Sequence, residues 1–305
     1  MKAICDYCFR HCTVEEGKTG WCRVRISKNG KMESIGLGIA AIADDPIEKK
    51  PLYHFLPGTR TLSIGGSGCS LSCDFCQNWT LSQTHVKGEK IDDKNIVNTA
   101  IIRGMPSISF TYSEPLVWQE YILSIAPLAS ESGLRNVMVT SGTFSKQSLE
   151  KLLPLIDAYN IDFKGDECFY RNICHGKMEP VIHSIERIAS EGRHLEVTTL
   201  IIEGIHDEAM IRSMGKMLKA AGVEVWHLTR FYPAYKMDDR NPTSESYLKK
   251  LITIAKESDI PYIYPGNSIM KAETHCPACG HVIDRYKTQG RCDECGETIY
   301  GIWGC

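Results

Sequence analysis

The sequence predicts an α/β fold: a partial barrel of six strand–helix units with a small cysteine-rich lobe at each end of the chain. From residue 61 onward, apolar and β-branched runs alternate with segments of helical periodicity, which is the pattern of parallel βαβ units. Four cysteines lie before residue 23 and four more between residues 276 and 295, outside that alternation. The length of 305 residues fits one large α/β domain with appendages. We therefore expect a metal lobe and linker over 1–50, the barrel over 51–270 and a ribbon over 271–305.

Six strands and six helices can be placed in order along the barrel segment. Prolines at positions 46, 51 and 57 precede it and predict a linker of turns and extended segments. Asp92, Ser145 and Thr243 are N-cap candidates, because each is a short polar residue at the start of a helical pattern. The predicted strands cover 61–64, 108–112, 136–140, 160–163, 196–202 and 223–228, with 262–267 as a segment that closes the barrel, and the predicted helices cover 94–103, 116–131, 145–155, 180–191, 208–220 and 244–258.

Composition and charge argue against several classes of protein. Hydrophobic residues make up 43% of the chain, which is enough for a sizeable core. The net charge of −2 argues against a general binder of nucleic acid or of membrane surfaces, because such proteins need a basic face. No apolar run reaches the ~18 residues of a membrane span, and the first residues lack a signal-peptide core, so we expect a cytoplasmic protein. In that reducing compartment, we expect the 14 cysteines to bind metals rather than form disulfides.

The first cysteine group, Cys5, Cys8, Cys12 and Cys22, has the spacing C-x2-C-x3-C-x9-C. A segment this short has too little core to fold alone, and a bound metal supplies the missing stability. Four thiolates suit tetrahedral zinc or a second iron–sulfur cluster, and the spacing does not choose between them. The alternative is a set of reduced cysteines that bind nothing.

The last cysteine group consists of two C-x2-C-G knuckles, Cys276 with Cys279 and Cys292 with Cys295. Paired knuckles at this separation are typical of a zinc ribbon. An iron centre of rubredoxin type is the alternative for the same ligands. Cys305, the final residue, is an extra ligand, a reactive thiol or a residue with no role, and the last is the simplest expectation.

The central group, Cys69, Cys73 and Cys76, follows the first predicted strand in a glycine-rich loop. In (β/α) barrels the chemistry lies at the carboxyl ends of the strands, where this loop is placed. Three thiolates can hold three irons of a [4Fe–4S] cluster and leave the fourth iron free to bind a substrate or cofactor. Half of a structural zinc site is the alternative, although no fourth ligand is near in the sequence.

This loop resembles the signature of the radical S-adenosylmethionine (SAM) enzymes, C-x3-C-x-aromatic-C, with Phe75 as the aromatic residue. The resemblance implies a [4Fe–4S] cluster whose free iron binds the amino and carboxylate groups of SAM. It also implies that the reduced cluster cleaves SAM to methionine and a 5′-deoxyadenosyl radical. The cleavage itself requires no side-chain acid or base, so no residue is named as catalytic.

Further motifs at predicted strand ends resemble the cofactor contacts of this family. Glu114-Pro115 matches the end of the G-G-E-P motif that receives the SAM amino group, although tyrosine and serine replace the glycines, and a helix start with Ser113 as N-cap is the structural alternative. An aspartate–lysine pair on a buried strand is costly unless it is used or partnered, and a lone histidine is more often structural. The resemblance assigns to the cofactor Phe75, Ser113, Glu114, Thr140, Ser141, Asp162, Lys164 and His227.

Together these motifs resemble the pyruvate formate-lyase activating enzyme branch of the radical SAM superfamily over about residues 50–270. The two metal lobes and the Arg230–Met237 segment are most similar to the subfamily of AmmeMemoRadiSam system radical SAM proteins. The resemblance implies a partial (β/α)6, TIM-like radical SAM barrel and abstraction of hydrogen from a protein or small-molecule substrate, with activation of a glycyl-radical enzyme as one form. It implies an external electron donor such as flavodoxin or ferredoxin, and Memo-like and Amme-like partner proteins. The alternative is a non-catalytic iron–sulfur and zinc scaffold.

Overall fold

A computed structural model describes residues 1–35, 38–84 and 86–304 of the chain; Cys305 lies outside the described residues. Its centre is an eight-stranded sheet in which each strand lies beside its neighbour in sequence. The last seven strands pair in parallel, and the first pairs antiparallel with the second. The strands are β5 (Ala41–Pro46), β6 (Arg60–Gly65), β7 (Ser107–Phe110), β8 (Arg135–Thr140), β9 (Ala158–Asp162), β10 (His194–Ile201), β11 (Val225–Arg230) and β12 (Tyr262–Gly266).

The helices that connect these strands follow the predicted order. The four residues of β7 are all buried because helices cover a parallel sheet; Ile108 and Phe110 lie on one face and the small residues Ser107 and Ser109 on the other. The α/β partial barrel predicted from the alternation is confirmed. The helices are α1 (Trp79–Ser82), α2 (Asp93–Ile102), α3 (Gln119–Glu131), α4 (Lys146–Leu152), α5 (Glu167–Asn172), α6 (Glu179–Ser190), α7 (Glu208–Ala220) and α8 (Glu245–Ala255), with single 3-10 turns over Ile47–Lys49, Pro115–Trp118, Leu153–Leu155 and Lys256–Ser258.

The two ends of the sheet differ from the sequence prediction. β5 belongs to the sheet although it lies in the predicted linker, so the sheet begins before the expected boundary at residue 51. β12 was expected to close the barrel, but within the described residues it pairs with β11 alone. The sheet therefore has two free edges, and the barrel is open.

Two of the three predicted N-caps are confirmed. Asp92 accepts a hydrogen bond from the backbone N–H of Lys94, and Ser145 accepts one from Ser148. Thr243 is not the cap of α8, because its hydroxyl donates to the carbonyl of Ile201 at 2.6 Å. The next residue, Ser244, caps that helix instead.

The N-terminal lobe lies against the carboxyl ends of the barrel strands. It consists of two antiparallel hairpins, and its Cys8 forms a β-bridge with Phe144 in the loop after β8. Phe9 N–H donates to the carbonyl of Thr143 at 3.1 Å, which extends that contact. The lobe strands are β1 (Lys2–Ile4), β2 (Thr13–Glu15), β3 (Arg25–Lys28) and β4 (Lys31–Ser34).

The C-terminal ribbon, with β13 (Thr274–His275) and β14 (Val282–Ile283), lies at the opposite ends of the strands. The Tyr300 hydroxyl accepts from the N–H of Leu195, near the start of β10, at 2.9 Å. Cys276 and Cys292 pack in one apolar cluster with the first residues of β11 and β12. The ribbon therefore covers the amino ends of the last strands, while the N-terminal lobe covers the carboxyl ends of others.

None of the helices in the described ranges combines the length and apolarity that crossing a lipid bilayer requires.

Candidate active site

A cavity of about 510 Å³ opens at the carboxyl ends of the strands, which is within the size range of ligand pockets, ~300–1,000 Å³. Its wall is made by the three-cysteine loop after β6 and by side chains that follow the other parallel strands. Lys49 and Lys50, which precede β6, and Thr198, Leu200 and Thr229 complete it. The sequence-predicted site residues in the wall are Cys69, Cys73, Phe75, Cys76, Ser113, Glu114, Thr140, Ser141, Asp162 and Lys164.

Glycines hold the three-cysteine loop close to its neighbours. Gly68 has a φ of +90°, and a Cβ there would lie 2.7 Å from the carbonyl oxygen of Cys22 in the N-terminal lobe. A Cβ at Gly66 would lie 3.0 Å from the indole of Trp118. Only glycine permits this backbone path without displacing its surroundings.

The three thiols of the loop are enclosed and receive hydrogen bonds. Leu71 N–H donates to Cys69 Sγ at 3.4 Å, and the Ser82 hydroxyl lies 3.1 Å from Cys76 Sγ. Burial raises the pKa of Cys69 and of Cys76. A hydrogen bond with the buried thiol of Cys174, followed by burial, raises the pKa of Cys73. The thiols are therefore protonated when no metal is bound, and they release protons when they bind one.

The spacing of these sulfur atoms fits a cluster better than a single ion. Among the described residues, the C-terminal ribbon is the one place where at least three potential ligand atoms lie within 4.8 Å of one another. A single tetrahedral zinc ion holds its sulfurs about 3.8 Å apart, since each Zn–S bond is about 2.3 Å long. The loop sulfurs face one cavity at wider spacing, which suits a cluster that lies between three thiolates and disfavours half of a zinc site.

Glu114 places a buried carboxylate in the cavity wall. One oxygen accepts from the Thr140 hydroxyl at 2.5 Å, and the other accepts from the N–H and the hydroxyl of Ser141 at 2.8 and 2.5 Å. Burial raises its pKa, although these hydrogen bonds favour the charged form. A ligand ammonium group would restore the balance toward the carboxylate, because an opposite charge favours ionisation.

Ser113 connects two of the predicted motifs instead of capping a helix. Its hydroxyl donates to the carbonyl of Gly66 at 2.8 Å and accepts from Trp118 Nε1 at 3.2 Å. The N-cap of the 3-10 turn is Glu114, which accepts from Leu116 N–H at 3.2 Å. The structural alternative that named Ser113 as the N-cap is therefore wrong by one residue.

Asp162 and Lys164 form an ion pair at the end of β9. Lys164 Nζ lies 2.9 Å from Asp162 Oδ2. Burial opposes the charge on Lys164, but Asp162, together with the thiolate forms of Cys73 and Cys174, outweighs it and raises the lysine pKa well above its usual value. A fixed positive charge thus lies beside the three-cysteine loop.

His227 does not reach the cavity, contrary to its predicted contact with the nucleoside of the cofactor. Its Nε2 donates to Glu196 Oε2 at 2.6 Å, and both side chains are buried. Glu196 also accepts from His194 Nε2 and from the N–H groups of Tyr53 and His54. Burial alone would raise the pKa of Glu196, but the two histidines outweigh it and hold that pKa well below its usual range. His227 therefore belongs to a structural network deeper in the sheet.

Sequence reasoning missed two lysines in the wall, Lys49 and Lys50, and the aspartate that pairs with them. Asp45 on β5 accepts from Lys49 and Lys50 at 2.8 and 2.7 Å and from the Tyr112 hydroxyl at 2.7 Å. Tyr112 has a φ of +70°, a conformation that favours glycine. Tyr112 stands where the family motif has a glycine. This replacement was the signal in the sequence, because a large polar side chain at that position needs a hydrogen-bond partner.

The four ribbon cysteines form a compact group, as predicted. Cys276 Sγ lies 3.6 Å from Cys295 Sγ, and Cys279 Sγ lies 3.7 Å from Cys292 Sγ. The glycine after each knuckle, Gly280 or Gly296, has a positive φ of 75° or 77°. These distances are near the ~3.8 Å of a tetrahedral zinc or iron site.

The predicted N-terminal ligands are also brought into one lobe. Cys5, Cys8 and Cys22 are buried and Cys12 is half-buried. Unlike in the ribbon, no three of these four described sulfur atoms lie within 4.8 Å of one another.

Comparison with known proteins identifies the central part of the chain. The model of the radical SAM superfamily matches residues 63–217, about half of the chain. The uncharacterized protein MJ0808 of Methanocaldococcus jannaschii is 37% identical over 98% of this chain and 95% of its own length. The protein MJ1227 of the same organism, named as a proposed glycyl-radical enzyme activating enzyme, is 24% identical over 62% of this chain and 82% of its own length.

A solved structure has a similar fold. The structure of TYW1 with a lysine–pyruvate adduct bound matches with a TM-score of 0.52 and 18% identity, over 75% of this chain and 79% of that one. At this identity the match concerns the fold alone.

Proposed function

Because the chain belongs to the radical SAM superfamily, we propose that it binds a [4Fe–4S] cluster through Cys69, Cys73 and Cys76 and cleaves SAM reductively in the adjoining cavity. The observation that carries the proposal is that three enclosed thiols and the Glu114 carboxylate face one cavity at the carboxyl ends of the strands. When bound, the reduced cluster supplies the electron that breaks the sulfonium C–S bond of SAM.

The chain's own residues bind and orient the cofactor. Glu114 offers carboxylate oxygens to an ammonium group, and charge-assisted hydrogen bonds of this kind are strong. Thr140 and Ser141 fix the orientation of that carboxylate through their hydroxyl groups. Lys164, paired with Asp162, keeps a positive charge near the thiolate of Cys73.

The substrate that loses hydrogen is a protein or a small molecule. The match to MJ1227 supports activation of a glycyl-radical enzyme as one form, in which a glycine of a partner loses hydrogen. The electron comes from an external donor such as flavodoxin or ferredoxin. The resemblance to AmmeMemoRadiSam proteins, and with it the Memo-like and Amme-like partners, stays a prediction.

Anaerobic cleavage of SAM tests the proposal. After reconstitution with iron and sulfide and reduction, we expect 5′-deoxyadenosine from the wild type and none from Cys73→Ala. Cys168→Ala is the matched control, because Cys168 is exposed and outside the cavity wall. Full iron loading with neither SAM binding nor product would contradict the proposal and favour the non-catalytic scaffold.

The ribbon is proposed to hold zinc through Cys276, Cys279, Cys292 and Cys295. The sulfur distances of 3.6 and 3.7 Å support a single tetrahedral ion. Metal analysis of a Cys279→Ala/Cys295→Ala variant should show a loss of one zinc per chain. A loss of iron instead would assign the site to the rubredoxin type.

A further inference from the structure

The N-terminal lobe shares a wall with the three-cysteine loop. The carbonyl oxygen of Cys22 and the side chain of Val24 fill the space that a side chain at Gly68, next to Cys69, would need. Cys8 and Cys22 belong to the same apolar cluster as Cys73. Two cysteine centres therefore adjoin each other at the carboxyl ends of the strands.

Arg10 connects the two centres directly. Its Nε donates to the carbonyl of Ser70 at 2.6 Å, and its Nη2 donates to the carbonyl of His175. The guanidinium lies near the sulfurs of Cys8, Cys12 and Cys22 in the lobe and of Cys69 in the loop. One fixed positive charge thus acts on thiolates of both centres.

Hydrogen-bond donors and a buried cation surround the cysteines of the lobe. Backbone N–H groups of Tyr7, Arg10 and Val24, each two residues after a cysteine, donate to the sulfurs of Cys5, Cys8 and Cys22. Cys5 N–H donates to the carbonyl of Cys12 at 2.9 Å, which joins the two halves of the group. Arg25, which is buried and pairs with Glu120, places a positive charge near Cys5. Donors of this kind stabilise thiolates and orient ligands around a metal.

The spacing distinguishes the kind of metal centre. In the ribbon, all four ligand atoms lie within 4.8 Å of one another, as a single ion requires. In the described N-terminal lobe, no three of the four sulfurs reach that proximity, and the same holds for the three-cysteine loop. The lobe therefore resembles the cluster loop of its own chain and differs from the single-ion site of its own chain.

We propose that Cys5, Cys8, Cys12 and Cys22 hold a second iron–sulfur cluster, which relays electrons to the centre at Cys69, Cys73 and Cys76. The relay rests on the proposed function, whereas the identity of the lobe metal does not. A low-potential donor of ferredoxin or flavodoxin type is oxidised by one electron, the lobe cluster accepts that electron and passes it on, and no bond is made or broken. Within the first 31 residues, Lys2, Lys18, Lys28 and Lys31 are exposed on the lobe against exposed Glu15 and Glu16, and this excess of positive charge suits an acidic donor.

Metal counting and electron paramagnetic resonance test the lobe without SAM chemistry. The variant Cys69→Ala/Cys73→Ala/Cys76→Ala is reconstituted with iron and sulfide, beside the same variant with Cys12→Ala added. We expect about four irons per chain and a reduced-cluster signal in the first, and loss of both in the second. Zinc in place of the iron, or no metal, would overturn the proposal.

The wild type provides a measurement that does not depend on the folding of variants. We expect about eight irons per chain in reconstituted wild type, because two clusters of four are present. About four irons, with two zinc ions, would assign the lobe to zinc and contradict the proposal.

The relay has its own readout. The rate of 5′-deoxyadenosine formation is measured with a flavodoxin donor and with dithionite, and the ratio of the two rates is compared between wild type and Cys12→Ala. We expect the ratio to fall by about tenfold or more, because a small reductant can reach the loop cluster without the lobe. An unchanged ratio would contradict the relay. The metal counts would then still decide which metal the lobe holds.

Discussion

Glu114 is the side chain whose environment most directly predicts cofactor binding. Its two oxygens are held by Thr140 and Ser141 and face a cavity wall that also contains Cys69. We expect Glu114→Gln to weaken SAM binding by about tenfold to a hundredfold, since hydrogen bonds to charged groups contribute ~1.5–3 kcal/mol. Equilibrium dialysis against labelled SAM on iron-loaded protein measures the change.

Glu131→Gln is the matched control for that variant, because Glu131 is an exposed residue at the end of α3. Its SAM affinity should equal that of the wild type. If Glu114→Gln with a full cluster content bound SAM as tightly as the wild type, the Glu114 carboxylate would not be part of the SAM site. Loss of affinity with loss of iron would instead show a folding effect.

We predict that Cys174 raises the midpoint potential of the cluster, although no sequence motif marks this residue. The thiol is fully buried and forms a hydrogen bond with Cys73. Hydrogen bonds to ligand sulfurs raise cluster potentials, so Cys174→Ala should lower the midpoint potential by on the order of tens of mV. A redox titration followed by electron paramagnetic resonance measures this, with Cys168→Ala as the control that should show no shift. An unshifted potential in Cys174→Ala would exclude the tuning role.

At the scale of residues, local spacing predicted which side chains share the cavity better than it predicted their individual contacts. The cysteine spacing and Phe75 form a local pattern, and most of the predicted cofactor residues line one cavity. His227 was misplaced because its partner Glu196 is 31 residues away in the chain. The Asp45–Tyr112 contact spans 67 residues and was invisible for the same reason.

Among the elements, β5 depends on a buried ion pair at the sheet edge. Asp45 and Lys50 are almost fully buried and lie 2.7 Å apart. Removing one partner leaves an uncompensated buried charge, so Asp45→Asn should lower the free energy of unfolding by about 3–5 kcal/mol. Urea unfolding at neutral pH measures the loss.

The neighbouring Asp44 is the control for that prediction. Asp44 pairs with the exposed Arg60, and Asp44→Asn should cost about 0–1 kcal/mol, because solvent screens surface pairs. An additional Lys50→Met in the Asp45→Asn background should restore part of the stability, since it removes the unpaired charge. Equal losses in Asp44→Asn and Asp45→Asn would contradict the ion-pair account.

The elements that the sequence predicted best are those with strong periodicity. The helices α2, α6 and α7 begin and end within one residue of their predictions, because their apolar stripes and, for α2 and α7, the aspartate N-caps are local signals. β5 contains two aspartates and ends on a proline, so it lacks the alternation of a typical strand. Its place in the sheet follows from pairing with β6, which is a tertiary contact.

For the whole molecule, the two metal lobes are predicted to differ in importance for the cofactor. The ribbon packs against the amino ends of β11 and β12, away from the cavity wall. We expect Cys279→Ala/Cys295→Ala to lower the thermal midpoint by about 10 °C, through several kcal/mol of lost stability, and to change the SAM dissociation constant by less than about twofold. Calorimetry and SAM dialysis on the same preparation measure both.

If folded Cys279→Ala/Cys295→Ala lost much of its SAM affinity, the ribbon would not be independent of the cavity, contrary to this prediction. Sequence alone does not show which of the two lobes lies at the carboxyl ends of the strands. The contacts of Phe9 with Thr143 and of Tyr300 with Leu195 decide it. Both contacts join segments more than 100 residues apart, which no local pattern reports.

The contacts of the N-terminal lobe also set an order of events during synthesis. Arg10 emerges early from the ribosome, but its partner carbonyl at His175 is made much later. Domains generally fold as the chain emerges, at ~5–20 residues per second, so the nascent lobe waits about 8–33 s for its docking partner. During that interval its four thiols are separated from the surface that later encloses them. A segment translated early is therefore among the last to reach its final place, and metal can reach its thiols before the strand ends of the barrel cover them.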